Sequence, residues 1–139
     1  MGSRRQARIL AFQSLFSRDL NPKGLDELLT LGWMEPKERE ELEPDVLFFT
    51  RFLITGTVEH WEEIDAIIEA QLRNWQFDRV GKVDLALLRI SVFQMLFVKD
   101  IPPKVVIDEA IDISKRFASD DSYRFINGVL DGLRKERGL

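Results

Sequence analysis

The chain has 139 residues, 45% of them hydrophobic and 32% charged, with 8 Gly and 5 Pro; this balance suits one soluble, helix-rich domain over 1–139 and excludes wholesale disorder. It has no cysteine, which rules out disulfides and thiolate metal sites and is compatible with a reducing cytoplasm. The net charge of −4 hides an asymmetry, because residues 1–23 carry Arg4, Arg5, Arg8, Arg18 and Lys23 against Asp19 alone, a net +4 that leaves −8 for the remainder. Such a basic head fits a local phosphate-binding patch or a frayed tail that tolerates arginine.

The start, Met1 to Arg5, is basic, but no uninterrupted apolar core of a secretory signal follows it. Ser3 can cap a first helix from Arg4 to Asp19, which the breaker Asn21-Pro22 ends. At helical spacing Ala7, Leu10, Ala11 and Ser14 share one side, and Arg4, Arg5, Arg8, Phe12 and Phe16 an adjoining arc. Leu25 to Leu31 reads as a short helix closed by Gly32, and Glu35 to Glu43 as an acidic, solvated connection.

Pro44 suits the first turn of a helix whose apolar positions run through Phe49, Phe52, Leu53 and Val58 to Trp61, Ile64, Ile68, Leu72 and Trp75. One long helix, or two jointed near Gly56, satisfies the pattern. Phe77 to Gly81 interrupts it. Val83 to Val98 is apolar on nearly all sides, as a central, buried helix would be. Its longest apolar stretch, broken by Arg89, Ser91 and Gln94, is shorter than the roughly 20 residues that cross a bilayer, so a soluble, cytoplasmic protein is expected. Pro102-Pro103 starts a helix that ends near Ala118, and the turn Ser119 to Ser122 caps a last one carrying Phe125, Ile126, Val129, Leu130 and Leu133. The expected fold is all-α, a compact bundle of about seven helices.

Catalytic chemistry has little to stand on. His60 is the only histidine, and Glu63 alone could join it at helical spacing, so a surface histidine is a better account than a metal ligand. Carboxylate pairs such as Asp108-Glu109 and Asp120-Asp121 are expected by chance among 24 acids. No phosphate-cradling glycine loop or nucleophile elbow occurs. What stands out is cationic and aromatic: Arg4, Arg5 and Arg8 offer phosphate-binding groups, and a ring such as Phe16 could stack on an unpaired base. Phe12 fits core packing better, whereas Phe16 suits either role. Arg89 in an apolar helix costs several kcal/mol unless paired, so it meets a carboxylate such as Asp84 or points to an interface.

Several segments resemble the NusB family in order and content along almost the whole chain. Arg4-Arg5-Gln6-Ala7-Arg8 and Ala11 to Phe16 look like its arginine-rich first helix, with Gln6 where arginine is common and Phe16 where tyrosine is frequent. Val83 to Ile90 and Phe93-Gln94-Met95 are similar to its central helix, and Ile101 to Ala110 with Asp121 to Asp131 to its closing signature. The resemblance implies two small helical subdomains, no catalysis and no cofactor. It implies binding of single-stranded boxA RNA together with the ribosomal protein NusE, in the antitermination complex of RNA polymerase. Residue by residue, Arg4, Arg5, Arg8, Phe16, Asp121 and Phe125 would serve RNA, and Asp84 and Arg89 the protein partner. The missing arginine at Gln6 implies weaker binding to RNA alone. Gly128 is expected to serve close helix packing.

Two alternatives stand beside this. One is a helical protein-interaction module with weak or lost RNA binding; the other is a detached regulatory domain related to RNA cytosine methyltransferases, since these residues hold neither a methyl-donor fold nor its glycine-rich fingerprint. Monomer and homodimer are both open.

Overall fold

The structure, a computed structural model, describes residues 2–74 and 76–139; Trp75, assigned above to an apolar face, lies outside the described residues. Among them the elements are α1 (Ser3–Leu20), α2 (Leu25–Leu29), α3 (Pro36–Glu40), α4 (Pro44–Glu59), α5 (Trp61–Gln71), a 3-10 turn (Phe77–Arg79), α6 (Lys82–Phe97), α7 (Pro103–Phe117) and α8 (Ser122–Arg137), with no strand. Helix α6 is buried without interruption from Leu85 to Met95. Around it pack α1 and α4 on one side and α5, α7 and α8 on the other, so both groups of helices share one apolar core.

Several boundaries differ from expectation for identifiable reasons. Ser3 is already helical and Gly2 is the cap, its carbonyl accepting from the Gln6 amide at 3.0 Å. Helix α2 is closed at Leu31, whose φ is 53°, rather than at Gly32. A left-handed leucine costs about 1–2 kcal/mol, but Leu31 is fully enclosed, and burying a leucine side chain returns about 1.5–3 kcal/mol. The acidic stretch read as a solvated connection contains the short helix α3, started by Pro36 and burying no residue.

The helix after Pro44 is two helices, but the joint lies at His60, four residues beyond Gly56. Gly56 has a different task. A Cβ built there would lie 2.0 Å from Phe93 Cζ, so its bare backbone is the floor on which the Phe93 ring rests. Gly128 is the reverse case: it is exposed, with nothing within 4 Å of a built Cβ, so the close packing expected of it is absent.

The two glycines should therefore respond oppositely. Gly56→Ala is expected to lose at least 1–3 kcal/mol, roughly, through overpacking against Phe93. Gly128→Ala should gain about 0.5–1 kcal/mol of helix propensity. Urea denaturation of the two variants measures both signs.

Candidate nucleic-acid interface

Helix α1 divides its arginines by direction. Arg4 is exposed and its guanidinium lies 4.3 Å over the Phe49 ring of α4. Arg5 turns the other way, toward α7, donating from Nε to Glu109 at 2.7 Å and from Nη2 to Asp112 at 2.9 Å. These carboxylates raise its pKa, the hydrogen bond to Glu109 contributing most. Arg8, one turn further on, is only 4% exposed. Its Nε donates to Gln94 Oε1 of α6 at 2.8 Å, its Nη1 lies 3.7 Å from Glu109, and Phe49 covers it at 5.6 Å. Burial lowers the Arg8 pKa, and Glu109 opposes that shift. Arg4 and Arg5 therefore present cationic edges at the surface, while Arg8 anchors the helix beneath them.

The rings divide similarly. Phe12 is core, with its centroid 5.5 Å from that of Phe117. Phe16 is half-buried against the same core. Beside Arg4 and Arg5 lies a hollow of about 430 Å3 lined by both arginines together with Glu109, Asp112 and Arg116. Glu109, Asp112 and Arg116 fall three and four residues apart, so a single face of α7 presents them to α1.

Sequence reasoning missed the continuation of this face. Arg116 lies 4.9 Å over Phe117, and across the 119–121 turn Lys115 and Arg124 flank the Tyr123 ring at 4.9 and 5.4 Å. The signal was present as cation-next-to-ring pairs on both sides of that turn, Arg116-Phe117 and Tyr123-Arg124. Here too are Asp121, exposed and 3.7 Å from Arg124 Nη1, and Phe125, half-buried.

Asp121 and Phe125 line a second hollow, of about 240 Å3, which Asp84, Arg79 and Ser122 complete. One expected partner residue, Asp84, thus shares a wall with two expected RNA residues. Burial raises the Asp84 pKa, and a hydrogen bond from Ser122 counteracts it.

Arg89 is elsewhere. It is 4% exposed and pairs not with Asp84 but with Asp65 of α5, Nε to Oδ1 at 2.7 Å and Nη2 to Oδ2 at 2.9 Å. Trp61 covers its guanidinium at 3.8 Å, and Asp19 of α1 lies 3.7 Å from Nη1. A cation enclosed this completely ties α6 to α5 and α1 and offers no face to a protein partner. His60 stacks on Phe97 at 4.0 Å with Glu63 at 3.5 Å. Among the described residues no group of three or more His, Asp or Glu is placed to hold a metal ion, and no helix is long and apolar enough to cross a membrane.

These features define an all-helical protein whose notable surface is a cationic, ring-lined helix face rather than a catalytic cleft. A model of the NusB family matches residues 5–135. The transcription antitermination protein NusB of Treponema denticola is 44% identical over 133 residues, covering 96% of each chain. That of Myxococcus xanthus is 37% identical over 131 residues, 94% of each. Among solved structures, T. maritima NusB superposes with a TM-score of 0.83 at 34% identity, over 96% of this chain and 91% of its own. A chain of the crystal structure of antitermination factors NusB and NusE in complex with dsRNA gives 0.85 at 32% identity, over 98% of both. The chain belongs to the NusB family, and it is a regulatory protein, not an enzyme.

Two expectations follow from the carboxylates. Removing one member of a buried ion pair strands the other, so Asp65→Ala, which strips Arg89 of its two short hydrogen bonds, should cost about 3 kcal/mol in urea unfolding. For Asp84 the folded chain holds the proton more tightly than the unfolded chain does. Its stabilising contribution is thus present in acid and is lost as pH rises from the usual aspartate range through the raised folded value. Asp84→Asn should remove that loss and raise the Tm relative to the wild type at neutral pH more than in acid, as read by thermal melts across the range.

Proposed function

We propose that the chain acts in bacterial transcription antitermination by binding boxA-type single-stranded RNA on the α1 and α7–α8 face, together with NusE, within the RNA polymerase antitermination complex in the cytoplasm. The observation that carries this is the grouping of Arg4, Arg5 and Arg116 around one hollow on an otherwise acidic protein. Phosphates would meet Arg4 and Arg5, with Arg8 holding that turn of α1 in place. Phe16, Asp121 and Phe125 would line the path of the bases, and Asp84 would face NusE. The similarity to a chain solved as NusB with NusE and dsRNA supports RNA, there double-stranded, and NusE as partners.

A second reading, an interaction module with little affinity for RNA, draws on a groove of about 810 Å3 along α4 and α6. Its walls include Phe52, Phe93 and Phe97, and beside them Phe48 is 75% exposed.

Fluorescence anisotropy of a labelled boxA-like RNA, single-stranded and as a duplex, with and without NusE, separates the two. RNA binding is expected to be weak alone and stronger with NusE. It should weaken with salt by a log-log slope of about 0.7 per phosphate contact on single strands. The double variant Arg4→Ala, Arg5→Ala should bind at least roughly tenfold less tightly. Absence of binding by the wild type with NusE present would leave only the interaction module.

A further inference from the structure

We infer that Asp112 is a built-in competitor for the RNA backbone: its carboxylate occupies the edge of Arg5 that a phosphate would take, and it thereby sets the affinity of the basic face. The inference rests on the RNA reading above and extends it to a residue outside the arginine motif.

The two acids that hold Arg5 are not equivalent. Glu109 is 19% exposed at its side chain and also lies 3.7 Å from the enclosed Arg8. It is the counter-charge of a buried cation, and removing it would disturb the interior. Asp112 has a side chain 51% exposed, and among the described residues its ion pair is with Arg5 alone, through Nη2 at 2.9 Å. Arg5 itself is 40% exposed at its side chain. The Nε and Nη2 edge of a guanidinium is the fork that grips an oxyanion with two parallel hydrogen bonds. In Arg5 that fork is filled by one oxygen from each acid. A phosphate arriving in the hollow meets Arg4 and Arg116 directly, but it must displace Asp112 to gain the Nη2 arm of Arg5, while Glu109 keeps Nε. Asp112 is therefore a positioning residue whose effect is antagonistic: it keeps Arg5 ordered in the free protein and charges the RNA for its release.

The test is Asp112→Asn in the intact chain with NusE, read by the same anisotropy titration over a salt series, beside Asp108→Asn, which removes an exposed acid on the same helix, and beside both substitutions in an Arg5→Gln background. Asp112→Asn is expected to tighten binding about threefold to tenfold at low salt, the gain from one Arg5 contact freed for a phosphate. It should also steepen the log-log salt dependence by about 0.7, one further phosphate contact. Asp108→Asn should do appreciably less, and in the Arg5→Gln background the gain from Asp112→Asn should shrink to the Asp108→Asn level, since the coupling runs through Arg5. Unchanged or weaker binding by Asp112→Asn would overturn the inference, as would an equal gain from Asp108→Asn or an undiminished gain in the Arg5→Gln background. Failure of the wild type to bind RNA at all is a separate outcome: it would overturn the RNA reading and this inference with it.

Discussion

Polar groups carried by a helix with no exposed side have to be satisfied inside the protein, and the arrangement of α6 follows from that constraint. Over eleven enclosed residues, Leu85 to Met95, it carries Arg89, Ser91 and Gln94. Ser91 returns its hydroxyl to the Leu87 carbonyl at 2.8 Å, the cheapest solution for a short side chain. Gln94 and Arg89 reach further. The Gln94 amide donates to the Ile90 carbonyl, and its oxygen accepts from Arg8, so the first helix is registered against the central one by a buried charge-assisted bond. Arg89 reaches Asp65 in α5 and faces Asp19 in α1. The apolar core would tolerate small slides of one helix on another; these polar contacts do not, since each has one geometry that satisfies it. The surface positions of Arg4 and Arg5 inherit their precision from Arg8 beneath them.

Most helices were legible in the sequence because periodicity and prolines mark them directly. Pro44 and Pro103 both occupy first turns, and the near-continuous apolar run of α6 foretold its enclosure. What failed was local chemistry overruled by tertiary packing. Leu31 takes the left-handed role that glycine would usually fill, because its side chain is worth more in the core than its backbone loses. The joint between α4 and α5 falls at His60 and not at Gly56, because that glycine answers to a ring on another helix that no window along the chain can reveal. The short helix α3 buries nothing, and so left no apolar period to read.

The basic face was half legible. Three arginines in one turn of α1 announce a cationic patch, yet spacing alone could not say that Arg8 points inward or that Arg5 is already engaged. The first depends chiefly on Gln94 of α6 and the second on Glu109 and Asp112 of α7, both far away in sequence. Arg89 shows the same limit: Asp84 is the carboxylate nearest to it in sequence, and the true partner lies across the bundle on α5. The cation and ring pairs around residues 115–124 were visible as neighbours, but only the fold sets Arg116 and Phe117 beside the first helix.

The hollow that Asp84 shares with Asp121 and Phe125 has a thermodynamic consequence. A protein seated at Asp84 and an RNA strand seated at Asp121 and Phe125 would each alter the solvation and field felt by the other, without either touching the other's main contact surface. Two ligands that share a wall in this way cannot have independent affinities. Whatever factor the first contributes to the second, the second returns to the first, so coupling of either sign between them would be a property of this small protein's own surface, present before any larger assembly forms.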